Sequence, residues 1–281
     1  MRPLRRHGSD APLSHPLTPS QPATPTTMLS PLRRRCFSAA AKATSRPSVA
    51  VVLSGCGVYD GSEATEVTAV LVHLSRLGAD ARAYAPDAAQ LHVVDHTCGA
   101  PAEGEARNAL AEAARLTRGL IEPLTALDAF DHDALVVPGG FGAAKNLSDF
   151  ATAGEAMEVE AETERVLKAF HASKKPIGLC CIAPVLAAKA LPAGVELTVG
   201  SSDEDSAAWP YSGTAKVMEA LGAKHVETDG EAHYDEAHNV VTSAAYMKEA
   251  PPHWVHDSVG HMVKKVVEMI PMKAASIKVG R

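Results

Sequence analysis

Aromatic side chains are scarce in this chain, at 4% of 281 residues against 46% hydrophobic residues in all. A core short of aromatics is built from valine, alanine and leucine, which suits one α/β domain with a tail. Positive charge is not in excess either. The formal net charge of −6 argues against a nucleic-acid surface. No apolar run reaches the length of a membrane span, so no membrane partner is expected. The five cysteines are odd in number and irregularly spaced. They do not form the pattern of a disulfide framework, and a reducing compartment fits them better.

Acidic residues are nearly missing from one region. Residues 1–47 carry Arg2, Arg5, Arg6, Arg33, Arg34, Arg35, Lys42 and Arg46 against one acid, Asp10. Proline, serine and threonine fill the middle, and such a stretch cannot bury a core. Arg-rich, Ser-rich and acid-poor is the composition of an organelle transit peptide. Arg35-Cys36-Phe37 resembles a mitochondrial processing site with the cut after Phe37, and Met28 offers a second start. The other reading is a disordered basic tail without an address. Cutting after Phe37 leaves 21 basic and 32 acidic side chains, a net charge of −11. The expected organisation is a mitochondrial (matrix) targeting lead over 1–47, a domain over 48–272 and a tail over 273–281.

From residue 48 strand-like and helix-like segments alternate. Residues 49–53 form a continuous apolar run, as in a strand buried on both faces. Residues 63–77 have apolar positions at helical spacing (Val67, Val70, Leu71, Leu74), and Gly78 stops them. Strands are expected at 80–84, 134–137, 176–180, 195–199 and 240–242. Helices are expected at 106–116, 155–172 and 255–270. This alternation predicts a mostly parallel sheet with helices on both faces. Sites in such sheets lie at the carboxyl ends of the strands. The loops at 54–62, 138–145 and 181–184 should therefore meet at one edge.

Cys181 ends an apolar strand and precedes a helix-compatible run. A thiol at such a turn faces unpaired N–H groups and the positive end of a helix dipole, which favour a thiolate of lowered pKa. The same residues also fit a buried cysteine in an ordinary αβ unit. Cys180, its neighbour, should point to the opposite face and pack in the core. Gly139-Gly140-Phe141-Gly142 permits close approach to the backbone. The N–H groups of Gly140 and Ile182 would form an oxyanion hole. Lys145 is not in a GKS or GKT sequence, so this is not a phosphate loop. Glu63 and Glu66, early in the first helix, are each candidates to share a proton with Cys181.

Residues 54–63 (SGCGVYDGSE), 137–147 (VPGGFGAAKNL), 181–184 (CIAP), 108–119 and 242–247 (TSAAYM) resemble the ElbB glyoxalase-like family. That family lies within the class I glutamine amidotransferase-like and PfpI-type superfamily. The resemblance covers about residues 49–270. It implies a single-domain, flavodoxin-like doubly wound sandwich, with Cys181 as elbow nucleophile, Glu66 as its acid partner, and Gly139, Gly140 and Ile182 lining the substrate.

Some family features are missing. PfpI-type hydrolases follow the cysteine with histidine, whereas this chain has Ile182. Residues 201–212 supply no histidine either. His233-Tyr234-Asp235 imitates an amidotransferase His-x-acid spacing, but falls where the family has ordinary strand residues. A Cys–Glu pair without histidine suits glyoxalase-type lyase chemistry on a small aldehyde metabolite (glyoxal or methylglyoxal), with neither cofactor nor metal. The alternative is a non-catalytic redox-sensing or interaction module. A homodimer is the expected assembly. His92, Asp95, His96 and Cys98 match no standard zinc spacing, and His253, His256 and His261 do not share one helix face closely. Arg107, Asn108, Arg115 and Arg118 border the site or form a solvated face.

Overall fold

A computed structural model of the protein describes residues 46–271. The expected targeting lead, apart from Arg46 and Pro47, and the expected tail lie outside the described residues.

The chain begins with β1 (Ser48–Val52), α1 (Ala64–Arg76), β2 (Asp80–Ala85), β3 (Val94–Asp95), β4 (Ala100–Pro101), α2 (Ala109–Leu116) and β5 (Ile121–Pro123). It continues with β6 (Ala134–Val137), α3 (Phe141–Lys145), α4 (Phe150–Ala153), α5 (Ala161–Ala172), β7 (Ile177–Cys180) and α6 (Pro184–Ala190). It closes with β8 (Glu196–Leu197), α7 (Thr214–Ala220), β9 (Lys224–His225), β10 (His233–Asp235), β11 (Val240–Ser243) and α8 (Pro252–Glu268).

Among the described residues, seven strands form the central sheet in the order β10-β11-β7-β6-β1-β2-β5. Six run parallel and β10 is antiparallel at one edge. The fold is therefore the expected α/β, mostly parallel, doubly wound sandwich. β1, β6 and β7 are largely apolar, and with β11, which ends in the polar Thr242 and Ser243, they are almost wholly buried, because helices cover both faces. The helices α1 and α8 pack together, with α8 also against β7 and β11, while α5 packs against α6 and β7. The chain runs outward from β1 to β2 and β5, then returns to β6 on the other side of β1. The crevice between β1 and β6 is thus a topological switch point, where parallel α/β sheets place their sites.

Local chemistry sets the helix ends. Glu63 caps α1 by accepting the Glu66 N–H at 2.7 Å, and Asn108 caps α2 by accepting the Ala111 N–H at 2.9 Å.

Two expectations need correction. The helix expected over 155–172 is only α5, which starts at Ala161 under the Glu160 cap. Before it, Val159 makes an antiparallel bridge with Ser148, and Glu160 donates its N–H to Leu147 O. That pairing holds the segment extended where apolar periodicity alone suggested helix. The strand expected over 195–199 shrinks to β8, which pairs with β9 outside the central sheet. Thr198 leaves the ladder because its N–H donates to Thr242 Oγ1 at 2.8 Å. Among the described residues, no helix is long and apolar enough to cross a membrane.

Candidate functional site

Three loops meet at the carboxyl ends of β1, β6 and β7. Phe141 and Gly142 donate their N–H groups to Val58 O and Gly61 O at 2.7 and 2.8 Å. Glu63 donates its N–H to Gly139 O at 3.0 Å. These bonds fasten the 54–62 loop to the glycine turn. Gly140 has φ of +93°, and a Cβ there would lie 2.4 Å from Glu63 N and Gly61 O. Only glycine fits a backbone so oriented and so crowded.

Cys181 stands on the turn after β7 with φ of +57°. This left-handed conformation is costly for a residue with a Cβ, and such strain gathers at functional positions. The surroundings hold it: Cys181 donates its N–H to Ser243 O at 3.0 Å, and Ala183 closes the turn onto Cys180 O at 3.0 Å. The side chain is 8% exposed. Its sulfur lies close enough to the Gly140 and Ile182 N–H groups and to the Glu66 carboxylate for all three to act on its charge.

Glu66 is fully buried, at 0% exposure. Its Oε2 accepts the Gly139 N–H at 2.9 Å, and its Oε1 accepts the Tyr246 N–H at 3.3 Å. Burial, reinforced by the Glu63 carboxylate, pushes its pKa up to about 7, against the pull of these hydrogen bonds. Gly139 is where the parts touch. A Cβ there would sit 2.4 Å from Cys181 Cβ, 2.7 Å from Glu66 Oε2 and 3.0 Å from Cys180 O. The structure therefore brings together all five residues singled out from the sequence: Cys181, Glu66, Gly139, Gly140 and Ile182.

Two details depart from expectation. First, the Cys181 pKa is raised, not lowered. Burial contributes most and the Glu66 carboxylate adds to it, overriding the Gly140 and Ile182 amides that favour the thiolate. The helix beyond the turn is only the seven residues of α6. Second, Cys180 does not turn away from the site. Its Sγ donates to Glu66 Oε2 at 3.7 Å, so both thiols converge on one carboxylate. Strand alternation fails here because Cys181 has already left the strand with a positive φ.

The other candidates fall elsewhere. Glu63 serves as the α1 cap. Arg107 pairs with Glu105 and Glu112, and Arg115 pairs with Glu112, on a solvated face. His96 bonds to Val94 O and the Tyr59 N–H. His256 meets His73 at a tilt with ring centroids 4.4 Å apart, and His261 meets Gly230 O at 3.1 Å. His233 lies in β10 near Glu196, at 3.3 Å. Two contributions escaped the sequence reading, the Tyr246 amide and the Ser243 carbonyl. Both belong to the 242–247 stretch, whose family likeness was visible although its role was not.

No family model matches the chain. Among curated proteins it is 59% identical to the rat "ES1 protein homolog, mitochondrial" over 225 residues, 80% of this chain and 84% of that protein. It is also 59% identical to the human "Glutamine amidotransferase-like class 1 domain-containing protein 3, mitochondrial" over 222 residues, 79% and 82% of the two chains. The zebrafish "ES1 protein, mitochondrial" is 38% identical over 79% of this chain and 86% of that protein. Among solved structures, an isoprenoid biosynthesis protein with amidotransferase-like domain from Ehrlichia chaffeensis superposes with a TM-score of 0.71 at 30% identity. That match covers 79% of this chain and 98% of the other. A ThiJ/PfpI domain protein from Brachyspira murdochii shares the fold, with a TM-score of 0.50 at 15% identity over 80% of this chain and 98% of the other. With these relatives spanning the described domain, the chain belongs to the mitochondrial ES1 family of glutamine amidotransferase-like class 1 domain proteins, and is itself mitochondrial.

Proposed function

We propose that the protein is a cofactor-independent, glyoxalase-type lyase that converts small 2-oxoaldehydes to 2-hydroxyacids. The observation that carries this reading is the fully buried Glu66 carboxylate, set beside the Cys181 thiol and poised near pH 7. A carboxylate near neutrality can both take up and return a proton.

The chemistry begins with attack of the Cys181 sulfur on the aldehyde carbon. The S–C bond forms, the thiol proton passes to Glu66, and the carbonyl oxygen becomes an alkoxide between the Gly140 and Ile182 amides. Return of the proton to that oxygen gives a neutral hemithioacetal and restores the carboxylate. Glu66 then removes the proton from the former aldehyde carbon, forming an enediolate. It delivers that proton to the adjacent carbon while the hydroxyl proton on the first oxygen passes to the second oxygen, which leaves a thioester of the 2-hydroxyacid. Water cleaves the thioester, releasing the acid and the free thiol. Glyoxal would give glycolate and methylglyoxal would give lactate. No electrons are exchanged with an outside donor, since one carbon is oxidised as its neighbour is reduced.

Purified protein should form lactate from methylglyoxal, and Cys181→Ser should not. Wild-type protein that makes no hydroxyacid above the buffer rate would overturn the proposal in favour of a non-catalytic redox or interaction module.

A further inference from the structure

One aromatic residue beside the glycine turn has no part in the chemistry above. Tyr211 lies between β8 and α7 and is 43% exposed. Its ring meets Phe141 edge-on, with centroids 6.0 Å apart and planes at 77°. Phe141 directly follows Gly140, whose N–H acts on the Cys181 sulfur. Tyr211 is close enough to Cys181 and to Tyr59 for their charges to interact. Burial, then these neighbours, push its ionisation above the usual range, so the phenol keeps its proton and remains a donor.

The backbone carrying Tyr211 is pinned although the ring is exposed. Trp209 is buried against Gly200, where φ is +97° and a Cβ would lie 1.9 Å from the indole. Trp254 meets Trp209 edge-on at 6.5 Å. Lys248 Nζ sits 5.2 Å from one indole centroid and 4.9 Å from the other, and pairs with Asp229. Glu249 donates its N–H to Ala208 O at 2.8 Å, and Thr214 donates to Tyr211 O at 3.0 Å. The exposed phenol thus stands on a firmly held segment, beside the glycine turn that carries Gly140.

We propose that the Tyr211 hydroxyl recognises the second carbonyl oxygen of a 1,2-dicarbonyl whose first carbonyl is held at Cys181. This rests on the Cys181–Glu66 reading above. The Gly140 and Ile182 amides serve the first oxygen. The enediolate also places negative charge on the second oxygen, and a neutral phenol there would stabilise it. The site should therefore favour vicinal dicarbonyls over simple aldehydes.

The test compares wild type with Tyr211→Phe, which keeps the ring and removes only the hydroxyl. Methylglyoxal and propanal are each titrated as protectants of Cys181 against iodoacetamide, and lactate formation is followed in parallel. The variant should need a few-fold (about 2- to 10-fold) more methylglyoxal for equal protection, in line with loss of a hydrogen bond to a neutral carbonyl, and lactate formation, where that oxygen becomes charged, should fall about 10-fold or more. Its propanal protection and unprotected labelling rate should not change. Equal losses with both aldehydes, or none, would overturn the inference. Tyr211-dependent protection without lactate would sink the lyase proposal and leave the recognition role standing. Lactate formation unaffected by Tyr211→Phe would do the reverse. Absence of protection by methylglyoxal in wild type would end both.

Discussion

Glu66→Gln preserves side-chain shape and removes the one charge buried beside the thiols. Its effects on stability, turnover and thiol reactivity have different signs. For stability, the folded-state pKa of about 7 exceeds the ordinary value of 4.5. Below about pH 4.5 the group is protonated in both states and costs nothing. Between about pH 4.5 and 7 the unfolded chain gives up the proton that the fold keeps, and the penalty grows to about 3 kcal/mol, levelling off once the folded group ionises above 7. Wild type should lose that much stability between pH 4.5 and 8 from this group, and the glutamine variant should not. The absolute stability of the variant also falls, because the amide NH2 must face the Gly139 or Tyr246 N–H. An unpaired buried donor costs about 1–3 kcal/mol at every pH. The slope with pH is therefore the diagnostic, measured by denaturant unfolding at a series of pH values. Turnover should fall about 100- to 10,000-fold, the usual contribution of a positioned acid–base group. Alkylation of Cys181 should become faster, because the carboxylate that raises the thiol pKa is gone. Lost turnover with quickened alkylation is a signature that simple unfolding of the site does not produce selectively at one cysteine. Parallel stability slopes and unchanged labelling would refute the idea of a charged Glu66 beside the thiol.

Much of this arrangement could be read from sequence because strand ends and glycines report on the backbone. The apolar runs at β1, β6 and β7 fixed the parallel core, and with it the edge where Cys181, Gly139 and Gly140 would meet. Motif likeness selected Glu66 over Glu63, a choice that helix periodicity alone left open. The short edge strands β5 and β10 were less legible, since three residues in a sheet edge carry no alternation to detect.

The electrostatics were the least legible part. The sequence shows a thiol before a helix, and that predicts a lowered pKa. It does not show that α6 has only seven residues, or that burial brings two thiols onto one carboxylate. Long-range burial decides the sign, and it becomes visible only when β1, β7 and α1 are assembled. The same holds for the pairing of the two thiols, which depends on a single positive φ at Cys181 that turns it away from strand alternation.

Three further perturbations probe the rest of the fold and site. Gly139→Ala should abolish turnover and cost about 1–3 kcal/mol, because its Cβ would fall 2.4 Å from that of Cys181 and strained cores resist such insertion. Wild-type activity in that variant would disprove the packing argument. His132 is buried between Ser48 Oγ and Tyr84 OH, at 2.9 and 3.0 Å, and burial lowers its pKa from 6.5 to about 4. Its contribution to stability is present above pH 6.5 and is lost as pH falls through 4, so His132→Gln should flatten the acid limb of an unfolding titration. An acid limb unchanged by the substitution would count against a neutral, buried imidazole. Finally, His233→Ala should leave turnover near wild type. His233 registers with Thr242, which registers with Leu179, so two strand spacings of about 10 Å separate its strand from that of Cys181. Its ring is beside Glu196 at 3.3 Å, but the Nε2 lacks the alignment of a hydrogen bond. An imidazole held there cannot take a proton from the thiol, which already has Glu66 as its partner. If His233→Ala lost activity while keeping its fold, the Cys–Glu pair would have to give way to a cysteine–histidine–aspartate triad.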